Sequence, residues 1–87
     1  MTRTRLETVI TVPVELWNTN ILPEGLLERW VFADAALVEA GDPVAAVRIE
    51  GALHTIVAPG KGRLHISSWP SSVVEPGGAI GTISRVI

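Results

Sequence analysis

The chain contains no cysteine and only one lysine, Lys61. Without cysteine it can form neither disulfide bonds nor thiolate metal sites, so its stability must come from packing. Aromatic residues make up only 5% of the chain, whereas 47% of all residues are apolar. A chain this short buries only roughly 60–65% of its unfolded surface. We therefore predict a dense core built mainly from Val, Ile, Leu and Ala.

Concentrated positive charge and long apolar runs are also missing. The 7 Lys and Arg residues are scattered and the net charge is -2, which disfavours nucleic-acid binding. No segment approaches the roughly 18 consecutive apolar residues of a membrane span. No signal-type apolar region follows the charged residues 1–5. We expect a cytoplasmic chain with one domain over residues 1–87, in which residues 1–7 are loosely ordered, and no nucleic-acid or membrane partner.

The apolar runs are short, rich in β-branched residues and bounded by proline or glycine, a pattern typical of β-strands. The pattern predicts strands at residues 8–12, 26–32, 44–49, 53–57, 63–67 and 79–83. The best helix candidate, residues 28–40, lacks an N-cap before its apolar run, so strand structure is favoured there. We predict an all-β fold.

An internal repeat divides the chain into two similar halves. Residues 37–44 (LVEAGDPV) match residues 73–80 (VVEPGGAI) position by position, at an offset of 73 − 37 = 36. Upstream of each copy lies a glycine followed by a short strand, at Gly25 and at Gly62. Two copies indicate a pseudo-symmetric β structure, because a solenoid needs about three or more repeats.

Four motifs, in this order, resemble the lipoyl/biotinyl carrier domains. They are the opening strand EGLLERW (24–30), the turn and strand LVEAGDPVA (37–45), the connection APGKG (58–62) and the closing strand VVEPGGAIGTI (73–83). The resemblance implies a barrel-sandwich hybrid, which is a flattened barrel of two small sheets. In the modified members of the family, a hairpin between the halves presents a lysine that carries lipoate or biotin.

The family's Asp-Lys-Ala hairpin tip corresponds to Glu50, Gly51 and Ala52 in this sequence. Lipoyl and biotinyl groups are attached through an amide to a side-chain amine, which glycine does not have. Gly51 instead suits a tight turn, because glycine adopts positive φ without steric cost. We therefore expect no catalytic residue and no cofactor, and we interpret the chain as a non-catalytic interaction or scaffold module.

A second departure from the family concerns its Gly-Asp dipeptide, which is replaced here by Ala35-Ala36 and, in the second copy, by Ser71-Ser72. Alanine disfavours positive φ. We therefore expect these two turns to differ in detail from those of the family.

Two alternatives remain open for the function. The chain could be a genuine lipoyl or biotinyl carrier modified at Lys61, which lies in a loop between Pro59 and Gly62. It could also be a fragment of a membrane-fusion adaptor, although such adaptors place a long coiled coil between the two halves. Under the leading hypothesis, the partner belongs to an acyltransferase, dehydrogenase or carboxylase complex. No sequence feature demands an oligomer.

The loop after the first strand contains Trp17 and Asn18. In the modified members of the family this loop lies close to the hairpin tip. Trp17, Asn18 and Glu50 are therefore candidates for a partner-contact face, since aromatic anchors dominate interface energies. In the alternative interpretation, Trp17 folds back to cover a thin core.

The remaining residues whose side chains could take part in chemistry are better explained by structural roles. The only histidines, His54 and His65, lack a spacing that indicates a metal site, and we interpret them as strand-face residues. The serines on either side of Trp69-Pro70 lack the Gly-x-Ser-x-Gly elbow of a hydrolase, so a turn explains them better. We predict no metal site.

Overall fold

The computed structural model describes residues 5–18 and 24–86. These residues form eight strands and, at Val14–Leu16, one turn of 3-10 helix. The strands are β1 (Arg5–Thr11), β2 (Gly25–Trp30), β3 (Leu37–Val38), β4 (Pro43–Ile49), β5 (Ala52–Val57), β6 (Gly62–Ile66), β7 (Val73–Val74) and β8 (Ala79–Val86). Within this described part of the chain, no helix is long and apolar enough to cross a membrane.

The strands form two four-stranded sheets, with the orders β1-β8-β6-β3 and β5-β4-β2-β7. All six strand pairs are antiparallel. Each sheet combines two strands that precede the β4–β5 turn with two that follow it. The prediction of an all-β barrel-sandwich fold is confirmed.

The internal repeat is visible in the hydrogen bonds. β3 pairs with β6 in the way that β7 pairs with β2. The Gly41 N–H donates to the Ala58 carbonyl at 2.8 Å, and the Gly77 N–H donates to the Val12 carbonyl at 2.7 Å. Because Gly41 and Gly77 occupy matching positions of the two copies, the sequence repeat corresponds to a structural pseudo-twofold.

The turns at Ala35 and Ser71 keep the same backbone shape in both halves. Their φ angles are +73° and +77°. The Ala35 N–H donates to the Leu64 carbonyl and the Ser71 N–H donates to the Leu27 carbonyl, each at 2.8 Å. Alanine disfavours positive φ, and these cross-strand hydrogen bonds hold both residues in this sparsely populated conformation.

The core lies between the two sheets and is aliphatic, as the composition predicts. Its buried members are Ile10, Val12, Trp17, Leu27, Val38, Val44, Ala45, Val47, Ile49, Ile56, Ala58, Leu64, Val74, Ile80 and Ile83. Trp30 is half-buried against this cluster, and its indole N–H donates to the Ser68 carbonyl at 2.9 Å. A single contiguous core of small side chains therefore joins both halves.

The predicted strand boundaries differ from the observed ones by at most three residues. β3 and β7 were not predicted, because two residues are too short to show an alternating pattern. Residues 5–7, expected in a loose N-terminal segment, belong instead to β1, where Arg5 is paired with Val86. Residues 1–4 lie outside the described residues.

Candidate functional site

The hairpin between β4 and β5 has a two-residue turn formed by Glu50 and Gly51. Their φ angles are +52° and +82°, and positive φ at both positions is what a type I′ turn requires. A Cβ atom placed on Gly51 would have no heavy atom within 4 Å. Ala52 follows as the first residue of β5, is paired with Ile49 and is exposed. The predicted tip residues thus stand together at an open, projecting turn.

Hydrogen bonds to the Glu50 carboxylate link this turn to the loop after the 3-10 helix. The Asn18 backbone N–H donates to Oε1 at 3.1 Å and to Oε2 at 3.3 Å. Left-handed φ costs a non-glycine residue about 1 kcal/mol, so this anchor favours the observed turn. The resemblance implied that the loop containing Asn18 lies close to the hairpin tip. These two hydrogen bonds agree with that expectation.

Arg48 supports the turn from the opposite side. Its Nε atom donates to Glu28 Oε1 at 2.7 Å, and its Nη1 atom lies 3.4 Å from the Gly51 carbonyl oxygen. The ion pair is partly exposed, so its contribution to stability is small, on the order of 0–1 kcal/mol. The ion pair places the Arg48 guanidinium and the Glu28 carboxylate next to each other near the turn.

Trp17 is a core residue. Its side chain is only 9% exposed and lies in the core cluster. Within residues 5–18 and 24–86, its indole N–H has no hydrogen-bond partner. This burial argues against a partner contact by Trp17 and agrees with the alternative, in which Trp17 folds back to cover a thin core. Asn18 and Glu50 remain exposed beside the tip.

Lys61 lies in the turn that connects β5 to β6 and is exposed. The whole of β5 separates it from Gly51. Six residues of strand span roughly 20 Å at about 3.3 Å per residue. The only lysine of the chain is therefore at the opposite end of β5 from the tip.

The two histidines lie on different sheets. His54 is half-buried on β5 opposite Val47, whereas His65 is on β6 with its Nε2 atom 2.8 Å from Ser84 Oγ. The His65–Ser84 contact has no sequence signal, because the two residues come from separate strands. Ser84 is only 6% exposed, so its hydroxyl is not presented to a substrate. In the described residues no three His, Asp or Glu side chains are grouped in a way that would hold a metal ion.

Comparison with known proteins gives a result at the level of structure only. No protein-family model and no curated protein sequence matches the chain. The solution structure of the lipoyl domain of the 2-oxoglutarate dehydrogenase complex from Azotobacter vinelandii is similar, with a TM-score of 0.67 and 14% sequence identity. The match covers 87% of this chain and 96% of that chain. The fold is that of a lipoyl domain. At this identity the likeness concerns the fold alone, and it agrees with the four sequence motifs.

Proposed function

We propose that this lipoyl-like domain does not carry a prosthetic group and acts as a non-catalytic protein-interaction module. One observation carries the proposal. The turn of the β4–β5 hairpin contains Gly51 at φ +82°, and the only lysine is a whole strand away. The family resemblance assigns the attachment lysine to position 51, where glycine offers no amine. The domain keeps the shape of a carrier tip and has lost its nucleophile.

The proposed contact face combines the tip with three exposed apolar residues of the same sheet, in a row that also contains Arg48. Leu53 is paired with Arg48, Arg48 with Leu26, and Leu26 with Val73. Side chains of directly paired residues share one face of a sheet. Leu53, Leu26 and Val73 are 51%, 38% and 59% exposed on this face. Exposed apolar side chains next to a polar turn suit a protein partner, since interfaces combine an apolar centre with a polar rim.

We further propose that the partner belongs to an acyltransferase, dehydrogenase or carboxylase complex and that the domain is cytoplasmic. The structurally similar domain is by its name part of a 2-oxoglutarate dehydrogenase complex, which supports a multienzyme partner. In such an assembly this domain would occupy a position that a carrier domain normally takes, but it would transfer no group.

The intact mass of the protein isolated from its own source tests the loss of the carrier function. We expect the mass of the unmodified polypeptide, because Gly51 has no amine and Lys61 is far from the tip. A lipoyl-sized or biotinyl-sized increment would contradict the proposal. If such an increment disappears in Lys61→Arg, the chain is instead a carrier with a displaced attachment site.

A second experiment tests the contact face. The tagged chain is purified from its source organism, and the retained proteins are identified by mass spectrometry. We expect Leu53→Glu to abolish retention of a multienzyme-complex component, because the variant loses an apolar side chain of the contact face and would bury a carboxylate in the interface. Val57→Glu is the matched control, since Val57 lies on the same strand, is also 51% exposed and is distant from the tip. Equal retention by both variants would contradict the assignment of this face.

A further inference from the structure

One edge of β5 presents backbone hydrogen-bonding groups that point away from its sheet. β5 is an end strand and, within the part of the chain that the structure describes, pairs with β4 alone. Ala52 faces β4 across the two-residue turn, and beyond β5 the Ala58 N–H donates at 2.8 Å to the carbonyl that precedes β4. Because backbone groups alternate in direction along a strand, those of Leu53, Thr55 and Val57 point outward.

The same three residues carry uncharged, exposed side chains. Leu53 and Val57 are each 51% exposed, and Thr55 is exposed between them. The whole strand, ALHTIV, contains no Asp, Glu, Lys, Arg or Pro. Proteins usually protect an edge strand from pairing with another chain by charged side chains or proline. β5 has neither of these protections, so its edge is suited to accept a further strand.

The corresponding strand of the other half, β1, differs in this respect. The matching hydrogen bonds of Val12 and Ala58 to the two repeat turns show that β1 and β5 occupy equivalent places. Glu7 of β1 corresponds to Leu53 of β5, and Arg5 lies two positions before Glu7. Charges at these positions disfavour edge pairing. Of these two equivalent edges, β5 is therefore the one that favours pairing.

We infer that β5 pairs antiparallel with β5 of a second copy of this chain, with Thr55 on the twofold axis. In this register Leu53 lies opposite Val57 of the second copy, and the two Thr55 residues lie opposite each other. The outward N–H and C=O groups of all three residues then have partners. Apolar pairs and Thr–Thr pairs across strands are both favourable. The interface is closed and self-complementary, and it joins two four-stranded sheets into one continuous sheet.

The charges beyond the two ends of β5 agree with an antiparallel arrangement. Glu50 precedes β5 and Lys61 follows it, at similar separations on either side of Thr55, and both are exposed. Antiparallel pairing about Thr55 brings the Glu50 end of one copy towards the Lys61 end of the other, whereas parallel pairing would bring like charges together. Such complementarity favours one orientation over the other. The dimer leaves the outer face of each sheet open, so it is independent of the proposed loss of the carrier function.

Sedimentation equilibrium of the full chain between about 1 μM and 1 mM tests this inference. We expect the mass to rise with concentration from 9.3 kDa towards twice that value. Thr55→Pro should raise the Kd of the dimer at least about tenfold, because proline removes an N–H at the twofold axis that β4 does not use. Val9→Pro is the matched control, since Val9 is the counterpart of Thr55 on β1. It should change the Kd less than about twofold.

A second pair of variants covers the case in which a proline variant does not fold. In a dimer of Thr55→Lys two ammonium groups would lie opposite each other on the axis, which disfavours pairing, whereas Val9→Lys places its charge on the other edge. Amide hydrogen exchange supplies an independent readout. We expect the amides of Leu53, Thr55 and Val57 to become protected as the concentration rises, and the Val9 amide to show no such change.

Three results would overturn the inference. They are a monomer mass over the whole concentration range, an equal effect of the folded Thr55 and Val9 variants, and a main species larger than a dimer. Leu53→Glu and Val57→Glu should weaken the dimer alike, because these two residues face each other across the axis. A difference between them in partner retention therefore still reports on the proposed contact face and not on the dimer.

Discussion

The variant Gly51→Lys is expected to become a substrate of a lipoate ligase, whereas the unmodified chain is not. The turn already has an acidic residue, Glu50, directly before this position, as the family tip does. A side chain at position 51 would extend into open space, since nothing lies within 4 Å of its Cβ atom. Left-handed φ for lysine costs about 1 kcal/mol, so the variant should remain folded. Incubation with ligase, lipoate and ATP followed by intact-mass measurement gives the result.

Gly41→Lys provides a matched control for this experiment. Gly41 has φ +87° and also has nothing within 4 Å of a Cβ atom, but it lies in a different turn. It should suffer a similar loss of stability and gain no lipoyl group. If folded Gly51→Lys stays unmodified while an authentic lipoyl domain is modified in the same reaction, the β4–β5 turn does not correspond to a carrier tip.

Gly62→Ala is expected to lower the free energy of unfolding by about 3 kcal/mol. The new methyl group would lie 2.3 Å from the Ser84 carbonyl oxygen and 2.9 Å from its carbonyl carbon. Both atoms belong to the backbone of β8, the strand next to β6, and cannot rotate away. The strand pairing must therefore shift, and the φ of +151° adds strain for alanine. Urea unfolding monitored by tryptophan fluorescence measures the loss.

Two further glycine variants calibrate this prediction. Gly41→Ala meets no neighbour and should cost only the left-handed φ, about 1 kcal/mol. Gly25 is the counterpart of Gly62 in the other half, but its closest contact is the Ile49 Cγ1 side-chain atom at 2.9 Å. Gly25→Ala should therefore fall between the other two. Equal losses in Gly41→Ala and Gly62→Ala would contradict the close approach of β6 to β8.

Local patterns were sufficient to predict most strands and the hairpin turn. The alternation of apolar and polar residues and the glycines and prolines at the boundaries depend on neighbouring residues, and these are visible in the sequence. The repeat of residues 37–44 at 73–80 also predicted the pseudo-twofold that the hydrogen bonds of Gly41 and Gly77 display. β3 and β7 were missed, because their pairing is set by the opposite strands rather than by their own residues.

The positive φ of Ala35 and Ser71 could not be predicted from residue preferences. Each residue donates its backbone N–H to a carbonyl of a strand distant in sequence. The acceptor of Ala35 is on β6 and that of Ser71 is on β2. Local preference disfavoured this conformation by about 1 kcal/mol, and the tertiary hydrogen bonds outweighed it. The burial of Trp17 has a similar origin, because only the assembled sheets determine which side of the loop faces the core.

The sequence by itself determined the all-β class, because residue type, alternation and turn residues are local features. Its resemblance to the lipoyl/biotinyl domains implied the lipoyl-like fold and the glycine at the hairpin turn, with the one lysine elsewhere. Only the tertiary structure decided that Trp17 is buried and that the Asn18 backbone N–H donates to the Glu50 carboxylate. Asn18 and Glu50 are 32 residues apart in the chain, and they meet only when the strands have assembled into sheets. Strand order brings distant residues together, and no local pattern encodes it.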